Sequence, residues 1–295
     1  MTKIPNYLSE KEHKQDINHE FQSLISKIKN DGYESAPRGQ KVKELYMHTM
    51  PLNPTKVLLD FKERPFNWKY LAGELAWYLK KERTVDYISN FSKFWGNLTD
   101  EGGEINSNYG DLLFGDQLYW CLNSLRSDKN TRQAIAFLNQ PKFQYVGNKD
   151  FVCTMYLNFF IREDTLNMKM TIRSNDMFFG LSYDAPFFSI VLQQMRLWLL
   201  PYYPELKLGT YFHSADNIHF YERHFDAADK IENEENVSSP HFELKEPLFE
   251  YGEYKEIIFP KTTKTFFKTM ENLIKEGGTQ EDYKGALGVF LETKK

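Results

Sequence analysis

The sequence predicts an α+β fold, and three stretches predict it. Leu166 to Ile172 alternates Leu, Met, Met and Ile with Asn, Lys and Thr, the period of a strand with one buried face. Phe151 to Ile161 is a second apolar, β-favouring run, and Arg162-Glu-Asp-Thr165 between the two reads as a hairpin turn. Asn67 to Lys81 reads as a helix, with Trp68, Leu71, Leu75, Tyr78 and Leu79 at helical spacing behind a candidate Asn67 cap. The hairpin puts a thiol, Cys153, on one strand and a polar cluster, Arg173, Ser174, Asn175 and Asp176, at the end of its neighbour.

The 295 residues are 41% hydrophobic and 16% aromatic, enough to fill a sizeable interior in one domain or two. Without a repeat, a low-complexity block or a dividing linker, a single domain over residues 1–295 is the simpler expectation. A net charge of −4 gives no general attraction to nucleic acid or anionic membrane, so any phosphate must be held by a few placed arginines. Two cysteines without a spaced framework fit a reducing compartment. The first sixteen residues lack the apolar core of a signal peptide, and the apolar run Ile190 to Leu200 is broken by Gln193, Gln194 and Arg196. A cytoplasmic protein is expected.

Residues 1–32 read as a polar amphipathic helix with Phe21, Leu24, Ile25 and Ile28 on one face. From Ala36 to Leu45, Pro37 and Gly39 make an irregular loop displaying Arg38, either a solvated turn arginine or an anion clamp. Glu74 sits mid-helix beside Leu75 and Trp77. It is a solvent-facing charge or, if turned into a cleft, a carboxyl with raised pKa suited to proton transfer. Trp95 to Gly110 is a Gly- and Asn-rich loop ending at Tyr109. Gln117 to Leu125 reads as a helix with Cys121 as a core thiol, and Ala134 to Leu138 as a strand with Arg132 at its start. Beyond the hairpin, an apolar helix is expected from Pro186 to Leu200, and strands at Gly209 to His213 and from Asn217 onward. His219 and Tyr221, two apart, share a face; without a carboxylate at a usual spacing they make no metal site. The charged segment Asp226 to Pro240 reads as loop, followed by short strands within Leu248 to Phe259 and a helix from Thr265 to Lys275.

Together these pieces resemble the thymidylate synthase superfamily, and within it the bacteriophage deoxycytidylate hydroxymethylases. The nucleophile motif is matched by Cys153 in Asp150-Phe-Val-Cys-Thr154, and the nucleotide signature by Arg173, Ser174, Asp176, Gly180 and Asp184. Glu74 and Trp77 match the helix glutamate pattern, Trp95 and Tyr109 the residues framing the loop, His219 and Tyr221 the late His-x-Tyr, and Arg38 the early phosphate-side arginine. The match runs collinearly from about Arg38 to His224. It implies a mixed β-sheet packed with helices, with one sheet face forming a homodimer interface across which Arg132 reaches the other subunit's phosphate. It also implies 5,10-methylenetetrahydrofolate as co-substrate.

Departures from the synthase pattern bear on the reaction. Thr154 stands where synthases carry histidine, Leu98 where they carry a second tryptophan, and Arg132-Gln133 where they carry paired arginines. Their carboxy-terminal tail is not evident in Leu291 to Lys295. Asp184 stands where uracil-specific members carry asparagine; a carboxyl can accept from the cytosine amine and share a proton with N3, so cytosine is the expected base. By resemblance, Cys153 is the nucleophile that adds to C6, Arg173 binds phosphate and lowers the thiol pKa, and Glu74 manages proton transfers. Trp95, Tyr109, Asp176 and Gly180 would serve the folate, while Ser174, His219 and Tyr221 hold sugar and phosphate. The implied reaction converts dCMP to 5-hydroxymethyl-dCMP, natural to a phage that replaces its cytosine. Methylation or hydroxymethylation of dUMP, and hydroxymethylation of CMP, are the alternatives.

Overall fold

In the computed structural model, residues 15–99 and 103–294 are described. The first fourteen residues of the expected amino-terminal helix, and 100–102 of the expected loop, lie outside them. Helix α1 (Ile17–Asp31) is capped by Asp16, whose carboxylate accepts from the Asn18 amide at 2.9 Å, and it buries Phe21, Leu24, Ile25 and Ile28. Strand β1 (Tyr33–Ser35), a 3-10 turn at Pro37–Gly39 and strand β2 (Val42–Leu52) follow, so only the first part of the expected Ala36–Leu45 loop is irregular. Met47, with φ of 53°, interrupts the pleat of β2 and hides its alternation from the sequence.

Helix α2 (Trp68–Lys80) starts at the Asn67 cap, whose side chain accepts from the Tyr70 amide, and buries every residue from Leu71 to Leu79. A 3-10 segment at Lys93–Leu98 carries Trp95, and Tyr109 opens helix α3 (Tyr109–Leu113) rather than closing a loop. At Gly110 a Cβ would fall 1.7 Å from the Tyr78 carbonyl, so only glycine lets α3 lie this close to α2. Helix α4 (Asp116–Ser127) buries Cys121 and leads to strand β3 (Ile135–Phe137).

The hairpin of β4 (Thr154–Arg162) and β5 (Thr165–Ile172) turns through Glu163 and Asp164, both with positive φ. Strand β5 is covered on both faces, not one: Asn167 is fully buried, its Oδ1 accepting from the Thr210 amide, and Thr171 is nearly so. The two-residue strand β6 (Asn175–Asp176) precedes helix α5 (Gly180–Leu199). This helix begins six residues before the expected start, with Pro186 inside it; the missing N–H costs one rung near the amino end. Strand β7 (Lys207–Tyr221) is one continuous element, since Ser214, Ala215 and Asp216 continue the strand and the first two pair with β2.

The sheet runs β1-β2-β7-β5-β4-β3, with β6 beside β7. Strands β5 and β7 are parallel, joined by α5 as the crossover, and the other long pairs are antiparallel. The fold is therefore α+β with a mixed sheet packed by helices. The charged segment expected as loop contains helix α6 (Phe225–Glu232), tied to α1 by Lys29, which reaches Asp229 and Glu232 at 2.6 Å. Strand β8 (His241–Leu244), the pair β9 (Glu250–Tyr251) and β10 (Ile257–Ile258), and helices α7 (Lys261–Glu276) and α8 (Gln280–Leu287) complete the chain. The carboxy-terminal strand β11 (Leu291–Lys294) pairs with β8.

Candidate active site

Cys153 sits one residue before β4, and its carbonyl accepts from the Arg173 amide at 3.0 Å, extending the hairpin ladder. The Arg173 side chain folds back over the Phe151 ring and donates to the carbonyls of Phe151 and Val152 at 2.5 and 3.3 Å. Its Nη2 lies 3.3 Å from Cys153 Sγ. Burial nevertheless pushes the thiol pKa up; Arg173 and the more distant Arg38 oppose this, while Asp184 and Asp150 add to it. The Arg173 charge thus acts on the thiol in the expected direction, lowering its pKa, but desolvation outweighs it.

Glu74 is 5% exposed, which removes the reading of a solvent-facing charge. Helix α2 is buried all round, so its one carboxylate must lie inside. Burial pushes its pKa to about 8; the Tyr70 hydroxyl, donating to Oε1 at 2.8 Å, works against the shift and Asp184 adds to it. The same hydroxyl accepts from the Trp95 indole N–H at 3.1 Å, fixing that ring 5.1 Å from Trp77. Sequence reasoning missed Tyr70, although its spacing of four from Glu74 on a helix was a usable signal.

Asp184 projects from the start of α5 and is partly exposed, its carboxyl lying deep enough that burial lifts its pKa to about 7. Its Oδ2 accepts from Asn175 Nδ2 at 2.8 Å. Behind Asn175 stand His213, with Nε2 2.9 Å from Asn175 Oδ1, and Tyr211, whose hydroxyl is 2.8 Å from His213 Nδ1. The sequence reading named Asn175 in the polar cluster but gave no site role to His213 or Tyr211. Tyr109 is 6% exposed, stacks on Tyr78 and accepts at its hydroxyl from Thr154 Oγ1 at 3.0 Å. Gly180 lies against Asn175 and Asp184, where a Cβ would fall 2.7 Å from Asn175 Nδ2.

On the other side, His219 Nδ1 is 2.8 Å from Asn217 Oδ1, and its ring meets Tyr221 edge-on at 5.3 Å. Burial lowers the His219 pKa against the pull of Asp176 and Glu44. Asp176 accepts from the Phe178 amide through Oδ1, while its Oδ2 is 4.0 Å from Arg223, a further cation the motif reading omitted. The Arg223 guanidinium covers the Tyr221 ring at 4.1 Å. Ser174 is half-buried at the end of β5. Arg38 stands exposed on its turn with φ of 53°, yet its charge reaches both Cys153 and Tyr221. Arg132 is exposed ahead of β3 and is not drawn into this cluster.

Asp150 organises the loop beside the thiol. It accepts from the Asn106 and Ser107 amides at 2.7 Å each and from Ser107 Oγ, so residues 106–107 are fastened three residues before Cys153. A thiol beside a guanidinium, two enclosed carboxyl groups that titrate near neutrality and a phenol-rich wall make an arrangement suited to nucleophilic addition coupled to proton transfer. Among the described residues no group of three or more His, Cys, Asp or Glu side chains could hold a metal ion, and no helix is long and apolar enough to cross a membrane.

Comparison with known proteins agrees with this geometry. The model of the family described as thymidylate synthase matches residues 19–259. A deoxyuridylate hydroxymethyltransferase of Bacillus phage SP01 is 28% identical over 220 residues, 68% of this chain and 56% of the relative. Deoxycytidylate 5-hydroxymethyltransferases of Enterobacteria phages T6 and T4 are 32% and 31% identical over 170 residues, 54% of this chain and 69% of each relative. The chain thus spans little more than half the length of the SP01 relative. A thiol beside a guanidinium, and a buried helix glutamate, accompany a family match over most of the sequence: the chain belongs to the thymidylate synthase family.

Proposed function

We propose that the chain, as one catalytic domain, converts dCMP to 5-hydroxymethyl-dCMP with 5,10-methylenetetrahydrofolate and water, in the cytoplasm and as a homodimer. The observation that carries this reading is Asp184, a carboxyl at the floor of the site with a pKa of about 7. In its neutral form it offers an O–H and a C=O side by side. That pair complements the N3 acceptor and amine donor of cytosine.

The Cys153 sulfur adds to C6 of the base as its thiolate, and the electron pair displaced to C5 makes that carbon nucleophilic. Arg173 holds negative charge beside the sulfur, from the thiolate and from the substrate phosphate, with His219, Tyr221, Ser174 and Arg38 around sugar and phosphate. Glu74, a proton donor below about pH 8, supplies and takes up protons. The folate supplies the one-carbon unit at C5. The residues present suit it: Trp95 is half-buried and held by Tyr70, its neighbour Phe94 is 60% exposed, and Asp176 presents a carboxylate. Loss of the C5 proton lets tetrahydrofolate leave and forms an exocyclic methylene, water adds to that carbon to complete the hydroxymethyl group, and expulsion of the Cys153 thiolate restores the C5–C6 double bond. Exposed Tyr33, Tyr46 and Met47 on β1 and β2 support burial of a sheet face against a second copy, with Arg132 reaching its phosphate.

The deciding experiment incubates the enzyme with dCMP, dUMP or CMP and methylenetetrahydrofolate. Tetrahydrofolate with a 5-hydroxymethyl product from dCMP supports the proposal; dihydrofolate with a 5-methyl product overturns it. Hydroxymethylation of dUMP is the second reading, favoured by the name of the SP01 relative.

A further inference from the structure

We propose that Tyr211, His213 and Asn175 form a directional hydrogen-bond relay that fixes which oxygen of Asp184 carries its proton, and so selects cytosine over uracil. The inference rests on the pyrimidine site assigned above and names residues that the family motif leaves unspecified.

Direction follows from donor and acceptor chemistry. Asp184 Oδ2 faces the Asn175 amide at 2.8 Å, and an ionised carboxylate can only accept, so Asn175 presents its NH2. Its carbonyl oxygen then faces His213 Nε2 at 2.9 Å, which must carry the ring proton. His213 Nδ1 is left as a lone pair and receives the Tyr211 hydroxyl at 2.8 Å. All members are nearly or fully buried: Tyr211 and His213 at 0% and Asn175 at 1% exposure. Among the described residues the Tyr211 hydroxyl bonds to His213 alone, so reversing the relay strands an O–H donor in the core. Burial, with His48 nearby, holds His213 neutral at a pKa of about 3, which leaves the imidazole one proton to place.

A carboxyl's carbonyl oxygen accepts better than its hydroxyl oxygen. The amide on Oδ2 therefore keeps Oδ2 as the carbonyl and places the proton on Oδ1. Among the described residues the charged and titratable groups around Asp184 are Cys153, Glu74, Tyr109, Tyr78 and Tyr211, and Asn175 alone bonds directly to the carboxyl. Donor at Oδ1 and acceptor at Oδ2 suit cytosine; uracil, with N3–H and O4, needs both reversed. Gly180 belongs to the same device, because a Cβ there would push the Asn175 amide off Asp184.

The test measures nucleotide binding and one spectroscopic property, neither of which requires turnover. The ratio of Kd values for dUMP and dCMP should fall at least fivefold in Tyr211→Phe and in His213→Leu. It should stay within fivefold of wild type in His213→Gln, whose amide can accept from Tyr211 and donate to Asn175. A fall of less than fivefold in both relay-breaking variants, with thermal unfolding still cooperative, overturns the proposal. Nitrogen-15 shifts of the wild-type histidines, seven in the chain, should show His213 protonated at Nε2; an Nδ1–H tautomer overturns it even if no variant folds. Absence of a 5-hydroxymethyl product in wild type would instead sink the proposed reaction, leaving tautomer and binding ratio to judge the relay.

Discussion

Arg173 Nη2 lies 3.3 Å from Cys153 Sγ, yet the thiol pKa is raised, because enclosure costs the thiolate more than the guanidinium returns. Cys153 in the free enzyme is therefore a thiol at neutral pH, and its alkylation should accelerate as pH climbs past the ordinary cysteine range. Arg173→Met removes the charge that opposes the rise and should slow alkylation by iodoacetamide at pH 8 severalfold. Equal or faster alkylation in the variant would mean that the guanidinium does not act on the sulfur.

Glu74 makes stability depend on pH in a definite direction. Its pKa rises from 4.5 when unfolded to about 8 in the fold, so the native state binds the extra proton across that window. Stability is lost as pH rises from about 4.5 through 8, when a charge must form in the core. Glu74→Gln cannot ionise and keeps an oxygen for the Tyr70 hydroxyl. Relative to wild type it should gain stability between pH 6 and 9, by on the order of a few kcal/mol, while turnover collapses. Thermal unfolding across pH checks this; a difference independent of pH would place the titration elsewhere.

The site's two halves differ in how far the sequence discloses them. The α2 helix, its Asn67 cap and the β4–β5 hairpin follow local rules, and the structure has all three. Helix α8 was also within reach, since Thr279 and Asp282 form a capping box. Strand β2 was not, because Met47 breaks the alternation that would announce it. Asn175 and His213 are 38 residues apart and meet only because β6 lies parallel to β7, a pairing no local period encodes. Glu74 is the intermediate case: the spacing located it on a helix, but whether that helix is solvated or enclosed depends on what packs around it.

Arg132 offers a test of assembly. If it completes the phosphate site of a second copy, Arg132→Ala and Cys153→Ser enzymes should each be nearly inactive. Mixed and allowed to exchange subunits, they should recover about a quarter of wild-type activity, since half the dimers are mixed and each has one intact site. An inactive mixture, with exchange verified by tagged subunits, would place Arg132 outside the partner's site.

Asp184→Asn changes one donor–acceptor pattern and leaves the carboxyl's volume nearly unchanged. The amide is neutral at every pH, so the titration near pH 7 that accompanies dCMP binding in wild type should vanish. Uracil needs an oxygen toward N3–H and an NH2 toward O4, and the new side chain presents that order once its NH2 takes the Oδ2 position and Asn175 turns its carbonyl oxygen to accept from it. Cytosine N4 and that NH2 would then be two donors face to face, while the turned Asn175 reverses the relay and leaves the Tyr211 hydroxyl without an acceptor, a cost that cytosine binding in the wild type avoids. Preference should move toward dUMP by a factor on the order of 10² to 10⁴, read as the ratio of kcat/KM for the two nucleotides. A variant that still prefers dCMP would show that cytosine is read by another group in the site.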